Sequence, residues 1–453
     1  MADVPPNKLS AVAAAREIAA GRLTCEALAR ACLDRIEARE ADVAAFSALD
    51  ADSVIAKARH LDRQSSRGRL HGLPIGIKDV LDTADLPTQM GSSIYRGNQS
   101  RADSAIVAMS RAAGGLIFGK TVTCEFAGMA PRGTRNPHDL ARTPGGSSSG
   151  SAAAVADFML PLAFGTQTGG SILRPASFCG IIGYKPTYGT FSRQGLKFAA
   201  ESLDTIGLFA RDVEDIALFA DALLGHSSLP ATKLAKPRIG LCRTYLWDTK
   251  AESETRMAVE EAARRAEAAG ALVSVFDLPP GFEDLSIARE VINDVERSRS
   301  LAWEWMEHRA DISPQLTRSV AAGLKTPEET YIRHLRRAEE LRAHFGHATA
   351  SFDGLIAPAV NGEAPRGLDY AGDPALQALW TLLHVPTLAL PAARGPNGMP
   401  VAIQVVGRRD EDRKMLALAL WLRDEAGIQL PAVMKLSSNQ RTAPQASMER
   451  GGV

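Results

Sequence analysis

The sequence of 453 residues lacks an excess of either charge, since 52 Lys and Arg residues balance 52 Asp and Glu residues. Without a long-range basic field, nucleic acid is not expected as a partner. The sequence also lacks any apolar run near the ~18 residues that span a bilayer, and its N-terminus lacks the basic and apolar regions of a signal peptide. We therefore expect a cytoplasmic protein that does not bind membranes.

Cysteines are few, odd in number and scattered, and no CxxC pair or His-rich companion spacing accompanies them. This pattern excludes a disulfide framework and predicts buried free thiols in a reducing compartment, with no metal site. What is present is ordinary globular composition, with 45% hydrophobic and 23% charged residues. The cysteines are Cys25, Cys32, Cys124, Cys179 and Cys242.

Helical and strand-like stretches alternate along the chain, which is typical of an α/β protein. Apolar spacing between residues 9 and 39 predicts two helices, broken at Gly21 and restarted at Thr24, a suitable N-cap. The β-branched run in HGLPIGIKDV predicts a strand that ends at Lys78. We expect one domain over residues 1–436, with a peripheral helical lobe at 228–350 and a disordered tail at 437–453.

Two familiar motif strings occur in contexts that do not support them. A GxxxxGK[ST] string spans residues 114–121, but a helix precedes it and its interior reads as a buried strand, unlike a phosphate-binding loop. A GxSxG string is centred on Ser148, but a hydrolase of that type needs a partner histidine downstream. The available histidines, such as His308, His334 and His384, lie in stretches where a structural role is expected.

Two Gly-Gly-Ser turns, which end at Ser147 and Ser171, stand 24 residues apart. The backbone of such a turn can approach a substrate closely and expose a hydroxyl for nucleophilic attack. The consecutive N–H groups of Thr168, Gly169, Gly170 and Ser171 could also converge on one point, as an oxyanion hole requires. An Ala-rich helix and an apolar strand lie between the turns, which favours a functional site over a flexible linker.

The paired turns, together with GLPIGIKDV, resemble the amidase signature family. The likeness runs from about residue 73 to 210, includes GYKPTYG and SLDTIG, and continues more weakly to about residue 430. The resemblance implies an α/β fold with a large mixed β-sheet covered by helices on both faces, no metal or organic cofactor, and a homodimer. It assigns Ser171 as nucleophile, Ser147 as a bridging serine after a cis peptide, and Lys78 as base.

Two departures from the commonest family pattern are similar to malonamidases. Residues 165–167 read Gly-Thr-Gln instead of Gly-Ser-Asp, and the arginine usually two residues after the nucleophile is three after it, as Arg174. In malonamidases the matching arginine binds the substrate's carboxylate, which suits a guanidinium, although Arg174 could instead brace its helix. Gly128, Met129 and Arg132 lie in a loop that could line the pocket.

The resemblance therefore implies an amidase that hydrolyses a small amide to a carboxylic acid and ammonia or an amine. Carbamates and aryl amides are competing substrates, because the same attack on a planar carbonyl would cleave them. A glutamine-dependent amidotransferase of the A-subunit type is the other alternative, and the two departures count against it. The missing hydrophobic N-terminal helix counts against a membrane-bound fatty acid amide hydrolase.

Overall fold

The computed structural model describes residues 4–66, 68–225 and 234–430. Within these ranges, eleven strands form one sheet with the spatial order β1-β3-β2-β4-β6-β5-β10-β11-β9-β7-β8. The strands are β1 (Phe46–Leu49), β2 (Pro74–Lys78), β3 (Leu116–Thr121), β4 (Leu162–Gln167), β5 (Ile182–Lys185), β6 (Thr205–Ala210), β7 (Arg238–Leu241), β8 (Leu272–Val275), β9 (Gly354–Pro358), β10 (Thr387–Arg394) and β11 (Pro400–Val406).

The sheet is mixed, as expected from the family resemblance. Strand β2 is parallel to both β3 and β4, and β7 is parallel to both β8 and β9. The central strands β4, β6, β5, β10 and β11 are joined by antiparallel ladders. The predicted strand end at Lys78 is confirmed, since Lys78 is the last residue of β2.

Helices surround the sheet. Within the described ranges they are α1 (Ala11–Ala19), α2 (Cys25–Val43), α3 (Ala51–Asp62), α4 (Ala105–Ala112), α5 (Ser149–Ala156), α6 (Leu173–Cys179), α7 (Val213–Leu224), α8 (Trp247–Lys250), α9 (Ser253–Ala268), α10 (Asp284–Ser300), α11 (Ala302–Glu307), α12 (Pro314–Lys325), α13 (Glu328–Ala348), α14 (Ala375–Leu382) and α15 (Asp412–Asp424). Short 3-10 helices span Pro6–Lys8, Ser93–Tyr95, Glu125–Ala127 and Arg309–Asp311. Thr24 caps α2 as predicted, because its side chain accepts a hydrogen bond from the amide of Ala27.

Helices cover both faces of the sheet, as successive residues of β4 show. All six residues of β4 are buried, which is typical of a strand with both faces covered. Leu162 and Phe164 pack in one apolar cluster with Phe219 of α7. Ala163, between them, points to the opposite face and packs in a second cluster that contains side chains of α5 and α6.

The described part of the predicted lobe at 228–350 contains helices α8 to α13, and also strands β7 and β8, which belong to the sheet. Helix α10 packs against α12, α13 and α14, and α10 and α12 lie beside the carboxyl end of β4. The division of the chain into one domain with a lobe stays a prediction. The tail at 437–453 lies outside the described residues.

Two further expectations can be compared with the structure. All five cysteines are buried and unpaired, as predicted. Residues 114–121 do not form a phosphate loop, since residues 116–121 are strand β3. The Lys120 amino group is buried there and donates hydrogen bonds to the carbonyl of Leu81 and the hydroxyl of Thr88.

In the part of the chain that the structure describes, no helix is both long and apolar enough to cross a bilayer.

Candidate active site

The candidate site lies where β2 and β4 end. These strands are neighbours and parallel, so their carboxyl ends reach the same edge of the sheet. Lys78 is the last residue of β2, and Thr166 and Gln167 are the last residues of β4. The second Gly-Gly-Ser turn follows β4 directly, which brings Ser171 to the same edge.

Lys78 is fully buried, and its amino group donates a hydrogen bond to the Ser147 hydroxyl over 2.7 Å. It also donates to the Thr166 hydroxyl over 2.8 Å and reaches the Thr166 carbonyl at 3.4 Å. Burial lowers the pKa of Lys78 to about 7, although Cys124 and Asp204 nearby act in the opposite direction. A large share of this lysine is therefore a neutral amine near neutral pH, as a proton acceptor must be.

Ser147 is held by a tightly folded turn. The peptide bond between Gly146 and Ser147 is cis, and Gly145 has a φ of +82°, which favours glycine. The Ser147 carbonyl accepts a hydrogen bond from the amide of Cys124 over 3.0 Å. The turn thus fixes the Ser147 hydroxyl against Lys78.

Ser171 lines a cavity and is 6% exposed. Its hydroxyl makes no hydrogen bond within the described residues, and no such bond joins it to Ser147, so the predicted link between the two serines is open in this structure. The amides of Gly169, Gly170 and Ser171 likewise donate to no acceptor in the described ranges. Because these donors line the cavity without a partner of their own, they are available to an oxyanion. The amide of Ser148 donates to the Ser171 carbonyl over 3.4 Å and joins the two turns.

Side chains that sequence reasoning missed hold residues 168–171 in place, the turn that carries the predicted nucleophile Ser171 and is called the nucleophile turn below. The Gln167 side-chain oxygen accepts hydrogen bonds from the amides of Ile172 and Leu173, and its amide group donates to Thr381 over 2.9 Å. The Thr381 hydroxyl in turn donates to the Gly169 carbonyl over 2.7 Å. The turn is therefore clamped from both ends, and the local motif could not reveal Thr381 because it comes from the distant helix α14.

Asp204, in the SLDTIG stretch, supports the same turn from another side. Its carboxylate accepts a hydrogen bond from the Thr168 hydroxyl and from the amides of Ala199 and Ala200. Burial raises the pKa of Asp204, while these hydrogen bonds act in the opposite direction. The carboxylate thus braces Thr168 next to the amides of the nucleophile turn.

Arg174 is fully buried, and all three of its side-chain nitrogens contact protein atoms. Nε and Nη2 donate to the Gly146 carbonyl over 3.1 and 2.6 Å, and Nη1 donates to the Gly372 carbonyl over 2.7 Å. Nη2 also lies 3.6 Å from the sulfur of Met129. These contacts favour a structural role for Arg174 over carboxylate binding, but the side chain braces the turn that carries Ser147 and not its own helix.

The loop residues expected to line the pocket divide into two groups. Gly128 and Met129 line the cavity that contains Ser171, but Arg132 is not part of its lining. The Arg132 side chain is exposed, donates to the Gly91 carbonyl over 2.6 Å and pairs with Glu125 at 3.1 Å. Its charge is therefore paired with the buried carboxylate of Glu125, outside the cavity lining.

The cavity has a volume of about 110 Å³, and helices α10 and α12 form its outer wall. Sequence reasoning missed this wall, although Arg289, Asn293 and Arg297 recur at intervals of four residues. Such spacing indicates one polar face of a helix, but it does not say what that face covers. The cavity is lined by Ala127, Gly128, Met129, Thr168, Gly169, Gly170, Ser171, Arg174, Arg289, Asn293, Arg297, Gln315, Leu316, Ser319 and Pro374.

The alternative nucleophile Ser148 lies in a different environment. Its hydroxyl donates to the Thr166 carbonyl over 3.3 Å and accepts from the Thr166 amide over 3.3 Å, so its partners are backbone groups. The histidines have structural contacts: the His384 ring stacks on Tyr188 at 4.0 Å, and burial lowers its pKa to about 2. No described histidine bonds to Ser148, which removes the basis for a serine–histidine hydrolase.

The chain is similar to known proteins over most of its length. The amidase family model matches residues 27–416. The A subunit of glutamyl-tRNA(Gln) amidotransferase from Symbiobacterium thermophilum is 34% identical, with 98% of this chain and 100% of that protein covered. The corresponding A subunit from Mycobacterium tuberculosis (strain H37Ra) is 32% identical, with 94% of this chain and 98% of that protein covered.

Solved structures show the same likeness. The crystal structure of an amidase has a TM-score of 0.85 and 32% identity, and covers 92% of this chain and 99% of its own. The peptide amidase from Stenotrophomonas maltophilia has a TM-score of 0.79 and 25% identity, with coverage of 94% and 98%. The chain belongs to the amidase family, and it is a hydrolase that acts on amide C–N bonds.

Proposed function

We propose that this protein hydrolyses the C–N bond of a small amide through an acyl-enzyme on Ser171, with Ser147 as proton relay and Lys78 as base. The observation that carries the proposal is the hydrogen bond of 2.7 Å between the Lys78 amino group and the Ser147 hydroxyl. It joins a buried lysine, whose pKa is lowered to about 7, to a serine beside the nucleophile turn.

The steps use these groups, and the first requires the Ser171 hydroxyl to turn toward Ser147, because the link between the two serines is open in this structure. Neutral Lys78 takes the proton of Ser147 while Ser147 takes that of Ser171, and the Ser171 oxygen bonds to the amide carbon. The amides of Thr168 to Ser171 stabilise the resulting oxyanion. The carbonyl reforms as the C–N bond breaks, and the proton returns through Ser147 to the leaving nitrogen. Water then cleaves the ester by the reverse relay and releases the carboxylic acid.

Two alternatives use the same chemistry. Carbamates or aryl amides would require only a different pocket. An amidotransferase of the A-subunit type would act on glutamine with partner proteins, and the similarity to glutamyl-tRNA(Gln) amidotransferases favours it. Against it stand the Gly-Thr-Gln segment at 165–167 and the later position of Arg174. The homodimer and the cytoplasmic location stay predictions. Light scattering of the purified chain measures its mass and so tests the homodimer.

The test is release of ammonia or amine by the purified chain alone from malonamate, malonamide, glutamine, an aryl amide and a carbamate, with and without hydroxylamine. We expect release from a small amide, and a hydroxamate when hydroxylamine intercepts the acyl-enzyme. Activity on glutamine alone would favour the amidotransferase alternative. Turnover without any hydroxamate would contradict an acyl-enzyme.

The Thr166 hydroxyl offers a test of how the pKa of Lys78 is set. Replacing Thr166 with Val removes an acceptor 2.8 Å from the amino group and makes the charged form of Lys78 less favourable. We expect the acidic limb of kcat/KM, near pH 7 in the wild type, to move about one pH unit lower. Thr166→Ser keeps the hydroxyl and should leave the limb in place. An equal shift in both variants would contradict this role.

Replacing Arg174 with Met distinguishes its two roles. If Arg174 braces the turn through the Gly146 and Gly372 carbonyls, its loss should misplace Ser147. We expect kcat/KM to fall about 10- to 100-fold for malonamate and for the neutral, similarly sized malonamide alike. A loss confined to malonamate would instead assign Arg174 to the substrate's carboxylate.

A further inference from the structure

Helix α10 presents a basic face to the candidate site. Arg289, Asn293 and Arg297 are spaced by four residues, which places them on one side of the helix, and all three line the cavity that contains Ser171. The nucleophile turn forms the facing wall. A Cβ atom built on Gly169 would lie only 3.8 Å from Nη1 of Arg289, so this guanidinium reaches the turn itself.

The positive charges of Arg289 and Arg297 on this face have few close partners in the protein. Arg289 makes no hydrogen bond in the described ranges, and its nearest carboxylate oxygen, on Glu290, is 3.9 Å away. Arg297 is 5% exposed and makes two long hydrogen bonds, to the Phe126 carbonyl at 3.4 Å and to Asn293 at 3.3 Å. Within the described residues, no carboxylate lies within 4.0 Å of Arg297.

The carboxylates around the cavity form their hydrogen bonds and ion pairs with groups other than Arg289 and Arg297. Asp204 is bound to Thr168 and two backbone amides, Asp294 accepts from Ser319 and Asn293, and Asp373 pairs with Lys250 at 2.8 Å. The described lining itself contains three arginines and no Asp or Glu. Burial lowers the pKa of Arg289 and of Arg297, while nearby carboxylates, Asp294 among them, act in the opposite direction.

Arg297 is buried and Arg289 is partly buried, with 21% of its side chain exposed. A positive charge held there without a close carboxylate is costly, and an anionic ligand in the cavity would reduce that cost. The cavity volume of about 110 Å³ suits a small ligand. We propose that Arg289 and Arg297 bind the carboxylate of a small amide whose scissile carbonyl lies at Ser171, and that they, and not Arg174, select anionic substrates. This inference rests on the proposed amidase function and names its substrate class.

The test compares kcat/KM for malonamate and malonamide, which differ in charge but hardly in size. In Arg289→Gln we expect the malonamate-to-malonamide ratio to fall about 10- to 100-fold, since one charge-assisted contact is lost. Arg289 is chosen because it makes no hydrogen bond within the described ranges, so its replacement removes the charge without breaking a hydrogen bond of the fold. Arg297→Gln should change the malonamate-to-malonamide ratio in the same direction. Arg299→Gln is the matched control on α10, because its guanidinium stacks on Tyr331, away from the cavity.

Binding of malonate, measured by calorimetry, separates failure of this inference from failure of the proposed function. If no amide is hydrolysed but malonate binds the wild type and binds Arg289→Gln at least about tenfold more weakly, the anion site stands while the proposed function fails. A selectivity ratio that changes less than threefold in Arg289→Gln overturns the inference. So does malonate affinity that is absent, or equal in the wild type and Arg289→Gln.

Discussion

Replacing Ser171 with alanine is expected to lower kcat by at least about 10⁴-fold, because the variant has no oxygen with which to form the acyl-enzyme. The unfolding temperature should change little, since the Ser171 hydroxyl makes no hydrogen bond within the described residues. The cavity keeps its shape in this variant, so malonate should still bind. Initial rates of ammonia release, thermal unfolding and calorimetry on the same preparation measure all three.

Ser177→Ala is the matched control for this loss. Ser177 is buried in the same helix α6 that follows the nucleophile turn, and its hydroxyl donates to the Leu173 carbonyl over 2.7 Å. The same kind of atom is removed a short distance along the chain, but no group near the cavity changes, so kcat should stay within about threefold of the wild type. If Ser171→Ala retained a tenth of wild-type activity, another residue would have to be the nucleophile.

Replacing Lys78 with methionine is expected to separate activity from stability. The variant lacks the proton acceptor, and kcat should fall by at least about 10³-fold. Stability should rise, because a buried amine is exchanged for an apolar side chain of similar length. A gain of about 1–4 kcal/mol in the free energy of unfolding near pH 6 is the expected size.

The sign of the pH dependence follows from the lowered pKa of Lys78. Its folded pKa of about 7 lies below the value of about 10.4 expected in the unfolded chain, so the unfolded state holds more protons between these values. The wild type therefore gains stability as pH rises from about 7 to 10.4, and the advantage of Lys78→Met should shrink accordingly. Denaturant unfolding at pH 6 and pH 9 measures this difference.

Lys185→Met is the control that separates the loss of any buried lysine from the loss of the proton acceptor Lys78. Burial lowers the pKa of Lys185 to about 7 as well, but its amino group donates to the carbonyls of Val385 and Pro186. Activity should therefore survive in Lys185→Met and be lost in Lys78→Met. Equal loss in both variants, or an advantage of Lys78→Met that grows with pH, would contradict the role assigned to Lys78.

The parts of the site that lie in local sequence could be predicted. The strand ending at Lys78 follows from a short β-branched run between turn residues, and the two Gly-Gly-Ser turns mark close backbone approaches. Both depend on residues adjacent in the chain, where local conformational preference decides the structure. The mixed sheet followed from family resemblance, because strand order depends on pairings between distant segments.

The parts that depend on tertiary packing could not be predicted. Arg174 could bind a carboxylate or brace a turn, and only the position of the Gly146 and Gly372 carbonyls favours the brace. The polar spacing of Arg289 and Arg297 is visible in the sequence, but charged stripes on helices usually face solvent. Their significance comes from the packing of α10 over a turn more than a hundred residues earlier in the chain.

The central claim is that Ser171 becomes acylated during turnover. Acid quenching within the first turnovers on malonamate or another hydrolysed amide, followed by peptide mass spectrometry, tests it directly. We predict that fragmentation of the acylated peptide locates the acyl group on Ser171, and that no acylated peptide forms in Ser171→Ala. An acyl group on Ser147 or Ser148, or rapid turnover with no acylated peptide at any quench time, would contradict the account.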